Sequence, residues 1–154
     1  MKGTEQQRWT VRPAERQDAS SIAHIYNEGI EDRVATFETE PRSTAQIEAR
    51  LLEYGDSYPT IVVERAGSVV AWAGASPYSS RPCYAGVAEF SVYTARESRG
   101  MGAGRAALAE LIRVSEQNGL WKLVSRIFPE NRASLALCRS LGFREVGIYR
   151  RHAQ

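Results

Sequence analysis

Residues 97–108 read Glu-Ser-Arg-Gly-Met-Gly-Ala-Gly-Arg-Ala-Ala-Leu, three alternating glycines running straight into an alanine-rich stretch. Glycine is the poorest helix former after proline, so its crowding at the start of a helical pattern needs a reason. Upstream, Tyr84 to Thr94 reads as a strand. Downstream, from about Gly104 to Gln117, Leu108, Leu111, Ile112 and Ser115 recur on one side of a helix that Asn118-Gly119 ends. A loop between a strand and a helix start offers unpaired N–H groups and partial positive charge, a cradle for phosphate. Glycines let that backbone approach closely and take positive φ, so successive N–H groups converge. Arg96, Arg99 and Arg105 surround the loop with further charge. A turn that only redirects the chain is the weaker reading.

The rest of the chain places this loop in a sheet. Trp9 to Arg12 is short and β-prone and is closed by Pro13. Asp18 is a plausible N-cap for a first helix carrying Ile22, Ile25, Tyr26 and Ile30. Ser43 and Gln46 fit a capping box for a second helix, which Gly55 stops. Thr60 to Arg65 and Ser68 to Ala75 read as a hairpin joined at Ala66-Gly67. Trp121 to Phe128 is another strand, Asn131 to Leu141 a helix stopped at Gly142, and Phe143 to Tyr149 a last strand. The order β-α-α-β-β-β-α-β-α-β indicates an α/β (α+β) fold, a mixed central sheet with about four helices packed on its faces.

With 154 residues, the chain suits one domain, residues 1–154. A net charge of +2 is too small to argue for nucleic acid or a membrane surface. No apolar run approaches the ~20 residues of a transmembrane helix, and the polar start lacks a signal peptide's apolar stretch. Cys83 and Cys138 form neither a disulfide framework nor a C-x-x-C pair, so a reducing cytoplasm is the expected location. His24 and His152 stand without evident partners, so no metal site and no Ser-His-Asp triad are expected.

The loop is neither the dinucleotide G-x-G-x-x-G nor a P-loop, which needs G-K-[ST]. Arg99-x-x-Gly102-x-Gly104 resembles the R/Q-x-x-G-x-G/A pyrophosphate loop of the GNAT superfamily of N-acetyltransferases, which bind acetyl-coenzyme A. Four further stretches, 34–42, 75–84, 88–93 and 131–143, resemble one branch of it, the phosphinothricin and arsinothricin N-acetyltransferases. The likeness runs from about Val11 to Tyr149. It implies a GNAT fold, acetyl-coenzyme A as co-substrate and an acetyltransferase activity that detoxifies antibiotic- or herbicide-like compounds. Homodimers are common in the family, so a second copy is a candidate partner.

Glu89 lies in the apolar run Val87 to Tyr93, where an ionised carboxylate is out of character. Strand alternation puts Glu89, Ser91 and Tyr93 on one face and Ala88, Phe90 and Val92 on the other. Burial there would raise the carboxyl pKa towards a value useful for taking a proton from an amine. Residue type alone leaves a solvated edge residue or a structural ion pair equally open; the resemblance implies a general base, acting directly or through a water. By the same resemblance the Val92 and Tyr93 N–H groups face the thioester carbonyl and the pantetheine. It implies further that Arg99, Gly100, Met101, Gly102, Ala103, Gly104 and Arg105 hold the diphosphate. Asn131, a natural N-cap, also touches the coenzyme arm on this reading.

For the amine substrate, the resemblance implies that Arg81 grips an acid group with its planar fork and that Phe37 lines the pocket. Two positions depart from the family. Ser79 stands where a basic residue is common, and Cys138 where relatives carry His or Tyr, so no acid role is assigned to Cys138. A third departure is the end at Gln154, where relatives continue with a tryptophan-bearing strand. The expectation is a fold that can lack its last strand, leaving an open sheet edge and substrate pocket. The expected substrate is a small amino acid with a second acid group, of the phosphinothricin, arsinothricin or methionine sulfoximine type. The rival readings are a protein N-terminal acetyltransferase and a non-catalytic coenzyme-binding module.

Overall fold

The computed structural model describes residues 9–32 and 39–148. Five strands, β1 (Thr10–Pro13), β2 (Thr60–Arg65), β3 (Ser68–Pro77), β4 (Val87–Thr94) and β5 (Lys122–Val124), form one sheet in the order β1-β2-β3-β4-β5. The first four are antiparallel neighbours, and β4 pairs β5 in parallel. A parallel pair needs a crossover, and α3 (Ala103–Gln117) supplies it. The other helices are α1 (Ala19–Asp32), α2 (Thr44–Tyr54) and α4 (Arg132–Ser140).

Local chemistry accounts for most boundaries. Ser43 Oγ accepts from the Gln46 N–H while the Gln46 side chain accepts from the Ser43 N–H, so the expected capping box starts α2. Ala66 and Gly67 both take positive φ, +51° and +79°, which suits the twist of a tight two-residue hairpin. Arg12 donates to both oxygens of Asp18 and to Glu64, tying β1 to the start of α1 and to β2. Those bonds, with the Glu15 N–H, outweigh the cost of burial and hold the Asp18 carboxyl below its ordinary pKa.

Each face of the sheet has its own core. Ile61, Val63, Ala71, Ala73, Ala75, Ala88 and Phe90 pack against Ala103, Ala107, Leu108 and Leu111 of α3. The alanines let helix and sheet approach closely. On the opposite face, Val62, Trp72 and Tyr93 meet Ile22, Ile25, Tyr26 and Ile30 of α1 and Ile47 of α2.

Three expected strands are corrected. Tyr84 lies in a short 3-10 turn, Pro82–Tyr84, and β4 begins only at Val87. β5 covers three residues instead of the stretch from Trp121 to Phe128. Residues 143–148 form no strand, and Tyr149 lies outside the described residues. A strand needs a partner: β5 offers only three rungs, and Phe143 instead lies against Phe90, ring centroids 4.9 Å apart.

Candidate active site

The parallel pairing of β4 with β5 ends at Glu89 and Val124, yet β4 continues to Thr94. The strands therefore part, and between them opens a cleft of about 530 Å³. Clefts at the carboxyl ends of parallel strands are common ligand sites. The Ser125 hydroxyl donates to Phe90 O at 3.0 Å, and Arg99 Nε lies 3.4 Å from Thr94 O. These carbonyls look into the gap, so strand alternation turns the N–H and C=O of Val92 the same way, beyond the last rung of the β5 ladder. The Tyr93 backbone faces the other way, since two residues on the Ala95 N–H donates to Val70 O of β3 at 2.8 Å. The expectation that both N–H groups face the cleft is thus corrected to Val92 alone; the Tyr93 ring is stacked on Trp72, centroids 5.1 Å apart.

The glycine loop forms the far wall. Gly100 and Gly102 have φ of +78° and +92°, and a Cβ on either would meet nothing within 4 Å, so the turn is open and not packed shut. Gly102 caps α3 without any side-chain hydrogen bond, whereas Ser43 caps α2 and Asn131 caps α4 by accepting from Ser134 N at 3.2 Å. The first N–H groups of α3 are left for an acceptor outside the helix. At Gly104 a Cβ would lie 2.9 Å from Thr94 Oγ1, so only glycine lets the helix start sit this close to β4. An open positive-φ turn and an uncapped helix start fit a diphosphate.

The arginines divide. Arg96 is turned away to Glu28, Glu31 and Asp32 of α1, which corrects its place in the ring of charge around the loop. Arg99 lines the cleft but is paired with Asp32 at 2.6 Å. Hydrogen bonds from Arg96 and Arg99 hold the Asp32 carboxyl below its ordinary pKa. Arg105 lines the cleft and donates to Ser140 Oγ at 3.2 Å.

Val92, Tyr93, Arg99, Gly100, Gly102, Ala103, Gly104, Arg105 and Asn131 all line the cleft. Met101 does not; its sulfur lies 3.6 Å from Arg65 Nη1. Phe37 lies outside the described residues. Arg81 is exposed, in the β3–β4 connection, with its N–H donating to Ser79 Oγ at 3.2 Å, and it does not line the cleft.

Glu89 shares the face of Ser91 and Tyr93, as alternation requires, at the last rung before the strands part. The expected burial is corrected: its side chain is 38% exposed and accepts from Arg126 Nη2 at 3.2 Å. β4 is next to the sheet edge, and the Glu89–Val124 rung is the last it shares with β5.

Sequence reasoning missed Arg126, Ser125, Phe128, Ser134 and Leu137 on the cleft wall. The only signal for Ser125, Arg126 and Phe128 was their position between a strand and the Asn131 cap, and for Ser134 and Leu137 their place on the helix that follows it. Cys138 also lines the cleft, and burial pushes its thiol up from its ordinary pKa.

The acetyltransferase (GNAT) family model matches residues 22–143. A putative phosphinothricin acetyltransferase of Bacillus subtilis is 34% identical over 91% of this chain and 86% of its own length. The crystal structure of a ribosomal-protein-alanine N-acetyltransferase from Brucella melitensis superposes with a TM-score of 0.85, at 34% identity over 90% of this chain and 86% of that one. A phosphinothricin acetyltransferase from Sinorhizobium meliloti, solved in complex with acetyl-coenzyme A, gives 0.83, at 35% identity over 90% of this chain and 76% of that one. An open glycine turn, an uncapped helix start and a parting strand pair on such a background lead to one conclusion: the chain is an N-acetyltransferase and belongs to the acetyltransferase (GNAT) family.

Proposed function

We propose that this protein moves the acetyl group of acetyl-coenzyme A directly onto the amine of a small amino acid bearing a second acid group, with Glu89 as general base. One observation carries the reading. Strand β4 holds Glu89 at the vertex of the fork and Val92 three residues on, roughly 10 Å along the strand, with the open glycine turn beyond. Base and carbonyl donor thus follow one another along one strand, with the diphosphate cradle in the turn between that strand and α3.

Acetyl-coenzyme A supplies the acetyl group as a thioester. The chain's own residues do the rest. The N–H groups of the turn and of the first turn of α3, with Arg105, hold the diphosphate. The Val92 N–H donates to the carbonyl oxygen, where negative charge develops as the amine adds; such a donor contributes about 3 kcal/mol. Glu89, half open to solvent, takes the proton that the amine gives up, directly or through a water, and the carbon–sulfur bond then breaks to release the coenzyme as a thiolate that takes its proton from solvent. Arg126 meanwhile fixes the carboxylate at the cleft mouth.

The amine class is supported by the phosphinothricin acetyltransferases among the relatives. The Brucella relative supports a second acceptor, a peptide with an N-terminal alanine. Thiol release from acetyl-coenzyme A, measured with L-phosphinothricin, L-methionine sulfoximine and an alanine-start peptide, decides between them. Release with the amino acids and not the peptide is expected. Release with the peptide alone overturns the small-molecule reading, and coenzyme binding without release on any amine makes the chain a binding module.

A further inference from the structure

On the α1–α2 side, the floor of the sheet is built in three rungs. Trp72 and Tyr93 form a large aromatic rung, Thr60, Gly74 and Ser91 a small one, and Ser76 and Glu89 a polar one. The middle rung is a dip, because Gly74 has no side chain and its neighbours are small. Arg50 of α2 hangs over that dip: a Cβ on Gly74 would lie 3.2 Å from its Nη2. The guanidinium also stands over the rings of Tyr54 and Trp72, at 5.4 and 5.8 Å.

This arginine lacks what a buried arginine ordinarily has. Its Nε is fully buried and has no hydrogen-bond partner. Its polar surroundings are the neutral tyrosines Tyr54, Tyr26 and Tyr93 and the like-charged Arg42, and among the described residues no carboxylate pairs with it. Burial accordingly pushes its pKa down. A buried, unpaired cation is costly, and such a group persists where a ligand completes it. The residue as a whole keeps some exposure.

We infer that Arg50 binds the distal acid group of the amino-acid substrate, the one on its side chain, while the amine lies at Glu89. The inference rests on the proposed acetylation of such an amine. Gly74 and Ser91 face each other across the β3–β4 ladder, and Glu89 lies two residues along the strand from Ser91. The Cα of Gly74 and that of Glu89 are therefore roughly 9 Å apart. An amine and an acid group separated by four bonds stand about 5 Å apart. With a hydrogen bond of about 2.8 Å at each end, they span about 10 Å. The α-carboxylate, two bonds from the amine, reaches only half as far from it.

The test is calorimetric titration of L-phosphinothricin, whose distal group is a phosphinate, and L-methionine sulfone, whose distal group is neutral. Both are titrated into the protein saturated with coenzyme A. Arg50→Met is expected to weaken L-phosphinothricin binding about 100-fold, as for removal of one partner of a desolvated charge pair. L-methionine sulfone binding and coenzyme A affinity should stay within about threefold. Arg50→Lys, which keeps charge but not the planar fork, should lose about tenfold. Without ligand, Arg50→Met should melt about 2–4 °C higher than the wild type, because it removes an unpaired buried charge. Equal losses for both amino acids, unchanged L-phosphinothricin binding, no binding by the wild type, or a lower melting temperature each overturn the inference. Arg50-dependent binding without thiol release upholds Arg50 and instead defeats the proposed acetylation.

Discussion

On its α3 side the sheet shows alanines, isoleucine, valine and one phenylalanine to a helix of matching small and branched residues. On its α1–α2 side it shows Trp72, Tyr93, Ser91 and Glu89, beneath an arginine whose Nε has no partner. The first face is held by packing between apolar groups. The second carries polar groups that the protein itself leaves incomplete. The cleft draws on both, Phe90 and Ala103 from the first and Tyr93 from the second, and opens where β5 stops following β4. Chemistry gathers where packing is left unfinished, because a group already satisfied by its neighbours has nothing to offer a substrate.

Substitutions can break that contrast or sharpen it. Glu89→Gln should reduce turnover about 1,000-fold, roughly 4 kcal/mol, while coenzyme A affinity and melting temperature hold. Steady-state thiol release checks this, and turnover within threefold of wild type would leave Glu89 only as Arg126's ion-pair partner. Leu111→Ala, on the packed face, should behave oppositely. It should cost about 3 kcal/mol in urea unfolding and leave kcat per folded molecule unchanged.

Residues at the seam should lose on both counts. Gly104→Ala puts a methyl 2.9 Å from Thr94 Oγ1 and 3.3 Å from Leu137 Cδ1, so the start of α3 must back away from β4. A stability loss of about 2 kcal/mol is expected, with weaker calorimetric binding of acetyl-coenzyme A. Unaltered affinity would detach the helix start from the coenzyme. Asn131→Ala removes the cap that accepts from Ser134 N and should cost about 1 kcal/mol of stability. A rise in the KM for acetyl-coenzyme A beyond what that loss explains would show that Asn131 also touches the coenzyme.

Legibility in the sequence followed the range of the interaction. The α2 capping box, the Ala66-Gly67 hairpin and the shared face of Glu89, Ser91 and Tyr93 were readable, since each depends on residues within a few positions. The glycine spacing likewise marked an open positive-φ turn before α3. The burial of Glu89 was misread because the strand that would have covered it ends at Val124. Arg96 was misassigned because its carboxylate partners lie 64 to 68 positions earlier, on α1.

By itself the sequence determined the helices, the β2–β3 hairpin, the faces of β4 and the open turn before α3, because backbone conformation and side-chain period are local properties. Tertiary structure alone decided how far β5 follows β4, which arginines remain available to a ligand, and that Arg50 comes to rest over Gly74. Those outcomes depend on distances between residues remote in the chain, and only a closed fold sets them.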